Sequence, residues 1–149
     1  MAANPSTART VVFDGPLPHD PTSDIVRAAL TVHRALGSGL EPEMYLRAME
    51  LELEERRIRF WRDVSVDLTY KGRRVGRSRV PLAACGVLVG IYASGSLTAG
   101  EVALLNAQAQ SMGTGGILFN FGAERLEIRR VRNSRANHAR GSLSGSGSM

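Results

Sequence analysis

The sequence predicts an α/β (α+β) domain in which helices flank a mixed central sheet. Apolar residues recur at helical spacing in two segments and alternate with polar residues in another, so both element types are present. The run Val87-Leu88-Val89 is apolar on both faces, which is typical of a central strand covered by helices. The 149 residues, 43% of them hydrophobic and 22% charged, suit one soluble globular domain with tails.

Two helices come first. Asp24 is expected to cap a helix that ends at Gly37, with one apolar stripe formed by Ile25, Ala29, Val32 and Leu36. Pro42 suits the first turn of a second helix. The buried face of this helix is expected to contain Tyr45, Ala48, Met49 and Leu53. Its glutamates, Glu50 among them, and the arginines that follow read as an exposed charged face.

Strands follow from about residue 58. Alternation through residues 64–70 predicts a half-buried strand, and Lys71-Gly72 predicts the turn into its partner. Cys85-Gly86 predicts a second hairpin turn between two apolar runs. Pro81 cannot donate a ladder hydrogen bond, so the strand is expected to be kinked or differently paired there.

A third helix and two further strands complete the domain. Thr98 and Glu101 form a capping box that starts a helix to about Met112, and Gly113 breaks this helix. The short apolar runs 117–119 and 126–128 predict the last two strands. The predicted order is therefore helix, helix, strands, helix, strands.

The two ends read differently from the domain of residues 24–131. Residues 1–23 are rich in proline and small residues and carry one apolar patch, Val11-Val12-Phe13. The plain interpretation is a floppy arm, and the alternative is an arm that adds a strand to the sheet edge of a neighbouring molecule. Residues 132–149 read as a basic, Gly/Ser-rich flexible tail.

Composition limits the classes of function. The formal net charge of +5 comes largely from arginine, much of it within residues 129–140, so nucleic acid is one candidate partner. The single cysteine excludes an internal disulfide and favours the cytoplasm. No apolar run approaches the roughly 20 residues that span a bilayer, and no signal sequence is visible, so no membrane partner is expected. No cofactor is predicted.

Several motifs together carry a resemblance across residues 24–131: Leu36-Gly37-Ser38-Gly39 before Tyr45, then Tyr70-Lys71-Gly72, then Asn120-Phe121-Gly122 before Arg129-Arg130-Val131. With these blocks the chain resembles the GxxExxY family of small PD-(D/E)XK nuclease-fold proteins. The resemblance implies a restriction-endonuclease-like core, a mixed sheet flanked by helices. It also implies glycine after the second helix, where this chain has Arg57.

The resemblance fails at the positions that carry the family's chemistry. Six positions at which the family has glutamate, aspartate, glutamate, lysine, histidine and glutamine hold different residues here: Pro42, Pro81, Gly90, Tyr92, Glu101 and Leu104. Magnesium-assisted phosphodiester cleavage needs oxygen ligands, and proline and glycine offer no side-chain ligand. A tyrosine phenol does not replace an ammonium ion. We therefore predict no catalytic residues, no metal site and no nuclease activity.

Three functions compete. The first is a non-enzymatic structural protein that self-associates into a homo-oligomer or larger assembly, through an arm that lends Val11-Val12-Phe13. The second is a nucleic-acid-binding pseudonuclease that uses Arg73, Arg74, Arg77 and Arg79. The third, ranked last, is an enzyme with Cys85 as nucleophile, for which the sequence offers no nearby histidine. The first is favoured because the lysine and glutamine that a binding-only descendant would keep are also gone.

Overall fold

A computed structural model describes residues 20–132, which form three helices and five strands. The elements in chain order are α1 (Thr22–Leu36), α2 (Pro42–Glu55), β1 (Phe60–Tyr70), β2 (Arg73–Ala84), β3 (Val87–Tyr92), α3 (Ala99–Met112), β4 (Gly115–Asn120) and β5 (Glu127–Val131). The order of helices and strands agrees with the prediction. Residues 1–19 and 133–149, which include Val11-Val12-Phe13 and nearly all of the predicted tail, lie outside the described residues.

The five strands form one mixed sheet in the order β1-β2-β3-β4-β5. All neighbours are antiparallel except β3 and β4, which are parallel and therefore need a crossover connection; α3 supplies it. The predicted α/β fold with a mixed central sheet is thus confirmed, and it is consistent with a restriction-endonuclease-like domain.

Two apolar clusters cover the two faces of the sheet. The larger cluster lies between the sheet and the helices α1 and α2, and includes Ile25, Tyr45, Met49 and Val89. The smaller cluster contains α3 residues and the opposite face of the sheet: Val66, Leu88, Leu105, Ala109 and Leu118 among others. Covering both faces explains why β3 and β4 are apolar on both sides.

The two predicted hairpin turns are present. Lys71 and Gly72 have φ values of 52° and 77°, and Cys85 and Gly86 have 55° and 79°. Two successive residues in the left-handed region define the turn whose twist matches that of the flanking strands. Glycine adopts this conformation without a steric penalty at the second position of each turn.

The helix ends agree with the prediction except at the first helix, which begins before Asp24. The Asp20 carboxylate accepts hydrogen bonds from the backbone N–H and the hydroxyl of Thr22, at 3.0 and 2.7 Å. The helix α1 therefore starts at Thr22, three residues before the Ile25 start that a cap at Asp24 implies. The Thr98–Glu101 capping box at the start of α3 is present in both directions. Gly37 and Gly113 follow α1 and α3 with positive φ, as expected.

One charged residue expected on the surface is buried. Glu50 retains only 6% of its accessible surface. Its two carboxylate oxygens lie 3.1 Å from Arg47 Nη1 and 3.2 Å from Arg62 Nε. Periodicity within α2 could not show this, because the covering arginine Arg62 belongs to β1. The pair of guanidinium groups compensates the cost of burying the carboxylate.

The β1–β2 hairpin turns over at Pro81. Val80 packs in the α3 cluster whereas Leu82, only two residues later, packs in the cluster under α1 and α2. On the partner strand β1, Phe60 packs in the cluster under α1 and α2, whereas Val64 packs in the α3 cluster. Asp63, which lies between them, has a φ of 54°. Residues on one strand that differ by two normally share a face. Both strands therefore exchange faces here, in agreement with the distortion expected at Pro81.

Beyond this point the hairpin lies over α3. We call residues 64–80 the hairpin arm. Gln108 of α3 donates to the Ser78 hydroxyl at 2.7 Å, and the Ser111 hydroxyl donates to the backbone carbonyl of Asp67. The arm is thereby fixed against the helix through polar contacts as well as through Val66 and Val80.

Candidate functional site

Two of the positions at which the sequence predicts a lost active site, Pro81 and Gly90, lie where β2 and β3 separate. The last β2–β3 pair is Leu82 with Val89, so Pro81 and Gly90 are the next residues on each strand. A Cβ atom placed on Gly90 would lie 3.0 Å from Cε2 of Tyr92 and 3.6 Å from Cγ of Leu118. The Tyr92 ring therefore occupies the space that a side chain at position 90 would need.

Tyr92 is half-buried above Gly90 and close to α3. Burial, and then the negative charge of Glu101, raises the pKa of the Tyr92 phenol above its ordinary value. Both causes disfavour the charged phenolate. A phenol that is neutral at pH 7 supplies neither the positive charge of a lysine nor a strong metal ligand.

The two predicted positions on α3 differ in their surroundings. Glu101 lies near Tyr92, but its Oε1 accepts the backbone N–H of Thr98 at 2.9 Å in the capping box. Leu104 is 46% exposed and offers no polar atom. Of Glu101 and Leu104, only Glu101 is therefore shown to lie near Tyr92. Its carboxylate already has a structural role.

Pro42 lies at the start of α2, and its neighbour Tyr45 links that helix to the same end of the sheet. The Tyr45 ring stacks on Phe121, with centroids 4.6 Å apart. The backbone N–H of Phe121 donates to the Tyr92 carbonyl at 2.7 Å. The Tyr45 hydroxyl donates to the Gly37 carbonyl at 2.5 Å and accepts the N–H of Leu40 at 3.1 Å. The tyrosine of the GxxExxY pattern therefore has a structural role here.

The side chains at these positions do not fit a magnesium ion. Mg²⁺ is held by carboxylate and other oxygen ligands in near-octahedral geometry. Pro42, Pro81 and Gly90 have no side-chain donor, and Glu101, whose carboxylate lies near Tyr92, serves as a helix cap. Within residues 20–132 no group of three or more His, Cys, Asp or Glu residues could hold a metal ion.

A buried polar network beside this site was missed by the sequence interpretation. Asn120 is fully buried, and its Oδ1 accepts the N–H groups of Ser94 and Gly122 at 2.9 and 3.0 Å. Its Nδ2 donates to Glu127 Oε1 at 3.0 Å, which also accepts the N–H of Leu97 at 3.0 Å. The Asn-Phe-Gly block is the sequence signal for this network. A sequence does not show which distant groups the asparagine contacts.

Gly122 has a packing requirement in the same network. A Cβ atom on Gly122 would approach the backbone nitrogen and oxygen of Ser94 to 2.4 and 2.5 Å. Only glycine permits the loop after β3 to approach the loop after β4 so closely. The network therefore joins the carboxyl ends of the two parallel strands.

The arginines proposed for nucleic-acid binding lie along β2, and three of them face aspartates of β1. Arg77 and Arg74 lie 3.0 and 3.8 Å from Asp67 Oδ1, and Arg79 lies 2.8 Å from Asp63 Oδ2. Arg73 pairs across the strands with Tyr70. All of these ion-paired side chains are at least half exposed, so the pairs contribute little to stability and leave the guanidinium groups accessible.

The arginines near the end of the chain do not all belong to a tail. Arg129 and Arg130 lie in β5, and Arg130 donates to the Thr22 hydroxyl at 2.9 Å. Its Nη2 also lies 3.6 Å from Asp20 Oδ2. Burial lowers the pKa of this guanidinium, and the nearby Asp20 opposes that effect. These contacts connect the start of α1 to the edge strand β5.

Cys85 does not form a nucleophile pair among the described residues. Burial, and then the negative charge of Asp24, raises the pKa of the Cys85 thiol, which disfavours the reactive thiolate. His33 lies elsewhere, with Nε2 3.0 Å from the Ala123 carbonyl oxygen and its ring beside Phe121. His19 and His138 lie outside the described residues.

The comparisons with known proteins agree with the fold. A family model described as PD-(D/E)XK nuclease superfamily matches residues 19–131, well over half of the chain. No curated protein and no solved structure matches the sequence. Among the described residues, none of the helices is both long and apolar enough to cross a lipid bilayer.

Proposed function

The chain belongs to the PD-(D/E)XK nuclease superfamily, and from this premise we propose that it is a catalytically inactive member that serves as a self-associating structural subunit. Within the superfamily we place it as a degenerate GxxExxY protein, on the resemblance of its Gly39, Tyr45, Tyr-Lys-Gly and Asn-Phe-Gly positions. The observation that carries the inactivity is the Tyr92 ring, which fills the space beside Gly90.

The chemistry of the site supports inactivity in two further ways. No carboxylate stands at Pro81 or Gly90, so the divalent ion that polarises the phosphate and activates water would have no hairpin ligands. Glu101, whose carboxylate lies near Tyr92, already caps α3. Restoring a metal site would need a change at several positions at once.

Two surface features support self-association. The sheet is open at both sides, with β1 and β5 as edge strands among the described residues. Large apolar side chains are exposed at the corner between α1 and α2: Leu36, Leu40 and Met44 are 42%, 37% and 52% exposed. Neighbouring apolar groups on a surface are commonly covered in an assembly, which favours a subunit over an isolated monomer.

The first experiment measures mass and cleavage on the same purified full chain. Light scattering at micromolar concentration is expected to give a multiple of the chain mass. Incubation with Mg²⁺ or Mn²⁺ and with single- and double-stranded DNA and RNA is expected to give no cleavage above a metal-free control.

Each half of this proposal has its own contradicting result. A monomer at micromolar concentration would contradict the assembly role. Metal-dependent cleavage that disappears in Glu101→Gln would contradict inactivity, because glutamine keeps the helix cap but removes the carboxylate. Cleavage that the variant retains would contradict inactivity as well if it stays with the chain through a further purification step, because carboxylates other than Glu101 would then hold the metal.

The alternative is a nucleic-acid-binding pseudonuclease without cleavage activity. The observation that favours it is the charge of the hairpin arm, in which four arginines and one lysine stand against one aspartate. The arginines are exposed and able to contact phosphate. The ion pairs with Asp63 and Asp67 compete with that contact, which is one reason why assembly is favoured.

A further inference from the structure

The two edges of the sheet are not equally suited to accept a strand. In β1, Asp63 has a φ of 54° at the point where the hairpin changes faces, and the register shifts again between Leu68 and Thr69. Such irregularities twist an edge away from pairing. By contrast, β5 keeps an unbroken register with β4 from Glu127 to Val131. A regular edge, although short, can accept an added strand of similar length.

The described chain begins next to that regular edge. Asp20 and Thr22 both contact Arg130 of β5, at 3.6 and 2.9 Å. Asp20, the first described residue, therefore lies at the β5 side of the sheet. Val11-Val12-Phe13 lies seven residues before Asp20 in the sequence, within about 25 Å of it if the link is extended. The edge of β1 is on the far side of a five-stranded sheet.

The segment has the composition of a strand that could extend this sheet. Residues 10–14 read Thr-Val-Val-Phe-Asp, with β-branched and aromatic residues and an acidic end. On β5, Ile128 and Val131 are buried, one in each apolar cluster, and Arg129 is exposed. Alternating Val and Phe would extend both clusters, and Asp14 complements the positive charge of Arg129.

The link favours a neighbouring molecule over the same chain. Pro16 and Pro18 lie between the segment and Asp20, and proline together with the residue before it favours extended backbone. Because a segment with this preference bends less readily, we take the β5 edge of a second copy, and not that of the same chain, as its acceptor. Exchange of identical segments between two copies makes a closed, self-complementary dimer.

We propose that residues 10–14 of one copy pair as an added strand with the β5 edge of a second copy, and that this exchange joins the subunits. The proposal rests on the self-association proposed above and names its donor and its acceptor. The backbone supplies the hydrogen bonds, and the apolar side chains supply the specificity.

The test uses disulfide formation between full-length chains that carry Cys85→Ser. A tagged chain with Val12→Cys is mixed with an untagged chain with Arg129→Cys and oxidised. The matched control replaces the second chain by one with Ser65→Cys, an exposed position on the other edge strand, β1. We expect a mixed disulfide with position 129 and at least tenfold less with position 65.

Three results would overturn the proposal. These are cross-linking to position 65 in preference to 129, a disulfide within one chain when both cysteines are placed on the same molecule, and absence of any cross-link in protein that light scattering shows to be self-associated. In the last case the self-association stands and only the strand exchange is lost. A monomeric protein would overturn both.

A second variant avoids cysteine altogether. Val12→Pro removes a backbone donor from the proposed strand without altering residues 20–132. It is expected to weaken self-association at least tenfold while circular dichroism of the domain is unchanged. The matched control Ala3→Pro, also outside the described residues, is expected to leave self-association unchanged. Equal masses for wild type and Val12→Pro at every concentration would overturn the proposal.

Discussion

At the residue scale, the decisive pair is Gly90 and Tyr92. They lie two residues apart on one strand and hence on the same face of the sheet. Gly90 has no side chain, and the Tyr92 ring lies beside the position where one would begin. Cε2 of Tyr92 is 3.0 Å from the place of a Cβ on residue 90. The two substitutions therefore depend on each other, which neither position reveals when it is considered alone.

A double-mutant cycle tests this dependence. We expect Gly90→Ala to reduce the free energy of unfolding by about 1 kcal/mol in the wild-type chain, because the new methyl group meets the ring. In a Tyr92→Ala background the same change is expected to cost little, giving a coupling of about 1 kcal/mol. Urea denaturation of the four proteins measures it.

The matched background is Tyr92→Phe, which keeps the ring and removes only the hydroxyl. There Gly90→Ala is expected to cost as much as in the wild type. An equal cost in all three backgrounds would show that the ring does not occupy the space beside Gly90.

At the element scale, the ends of β3 and β4 are held together by one side chain. Asn120 joins the loop after β3, the loop after β4 and the first residue of β5, through hydrogen bonds to Ser94, Gly122 and Glu127. These are the elements that would have framed an active site. In this chain the polar groups at this end satisfy each other and stabilise the strand ends.

We expect Asn120→Ala to reduce the free energy of unfolding by about 3 kcal/mol. The substitution leaves two backbone N–H groups and a carboxylate oxygen without one of their partners in a buried setting, which costs more than the loss of a surface hydrogen bond. Thermal or urea unfolding measures the change. The control is Asn106→Ala on α3, a partly buried asparagine for which the structure shows no hydrogen bond and where alanine favours the helix. Equal effects at both positions would show that the network contributes nothing special.

The turn after α2 keeps its left-handed conformation although residue 57 is an arginine. Arg57 has a φ of 61°, the left-handed conformation that glycine adopts without strain and that the resembling family provides with glycine. Its backbone N–H still donates to Glu54, and Ile58 donates to Leu53. The turn is therefore kept although the residue disfavours it, because these hydrogen bonds and the packing of Ile58 against the core hold the chain in place.

At the scale of the whole molecule, the exchange of faces at Asp63 and Pro81 divides the β1–β2 hairpin between two layers. Its inner end covers the cluster of α1 and α2, and the hairpin arm covers α3. The arm carries four of the seven arginines of the described strands: Arg73, Arg74, Arg77 and Arg79. Their charge is partly neutralised by Asp63 and Asp67, so the arm presents a moderate positive field.

The nucleic-acid-binding alternative makes a prediction at this scale. Fluorescence anisotropy with a labelled duplex at low salt should detect binding that falls steeply as salt is added. Replacing Arg77 and Arg79 by glutamate should abolish it, and Asp67→Asn should strengthen it several-fold by freeing the guanidinium groups. The control Arg27→Glu changes an exposed, ion-paired arginine on α1 and should have a smaller effect. Absence of binding at low salt would reject the alternative.

The sequence by itself determined the local features: both hairpin turns, the Thr98–Glu101 cap, the glycines that end the helices and the order of elements. These depend on interactions between residues a few positions apart, which a sequence displays directly. From the resemblance it also predicts that Pro42, Pro81, Gly90, Tyr92, Glu101 and Leu104 stand where the family has its functional groups, and that remains a prediction.

Only the tertiary structure decided how distant residues share one space. The burial of Glu50 depends on Arg62 from β1, the place of Arg130 depends on Asp20, and the role of Asn120 depends on loops that are separated along the chain. Periodicity reports which face of an element is apolar, but it does not report which element will cover that face. For that reason the identities of Gly90 and Tyr92 could be read from the sequence, whereas the position of the Tyr92 ring beside Gly90 was visible only in the fold.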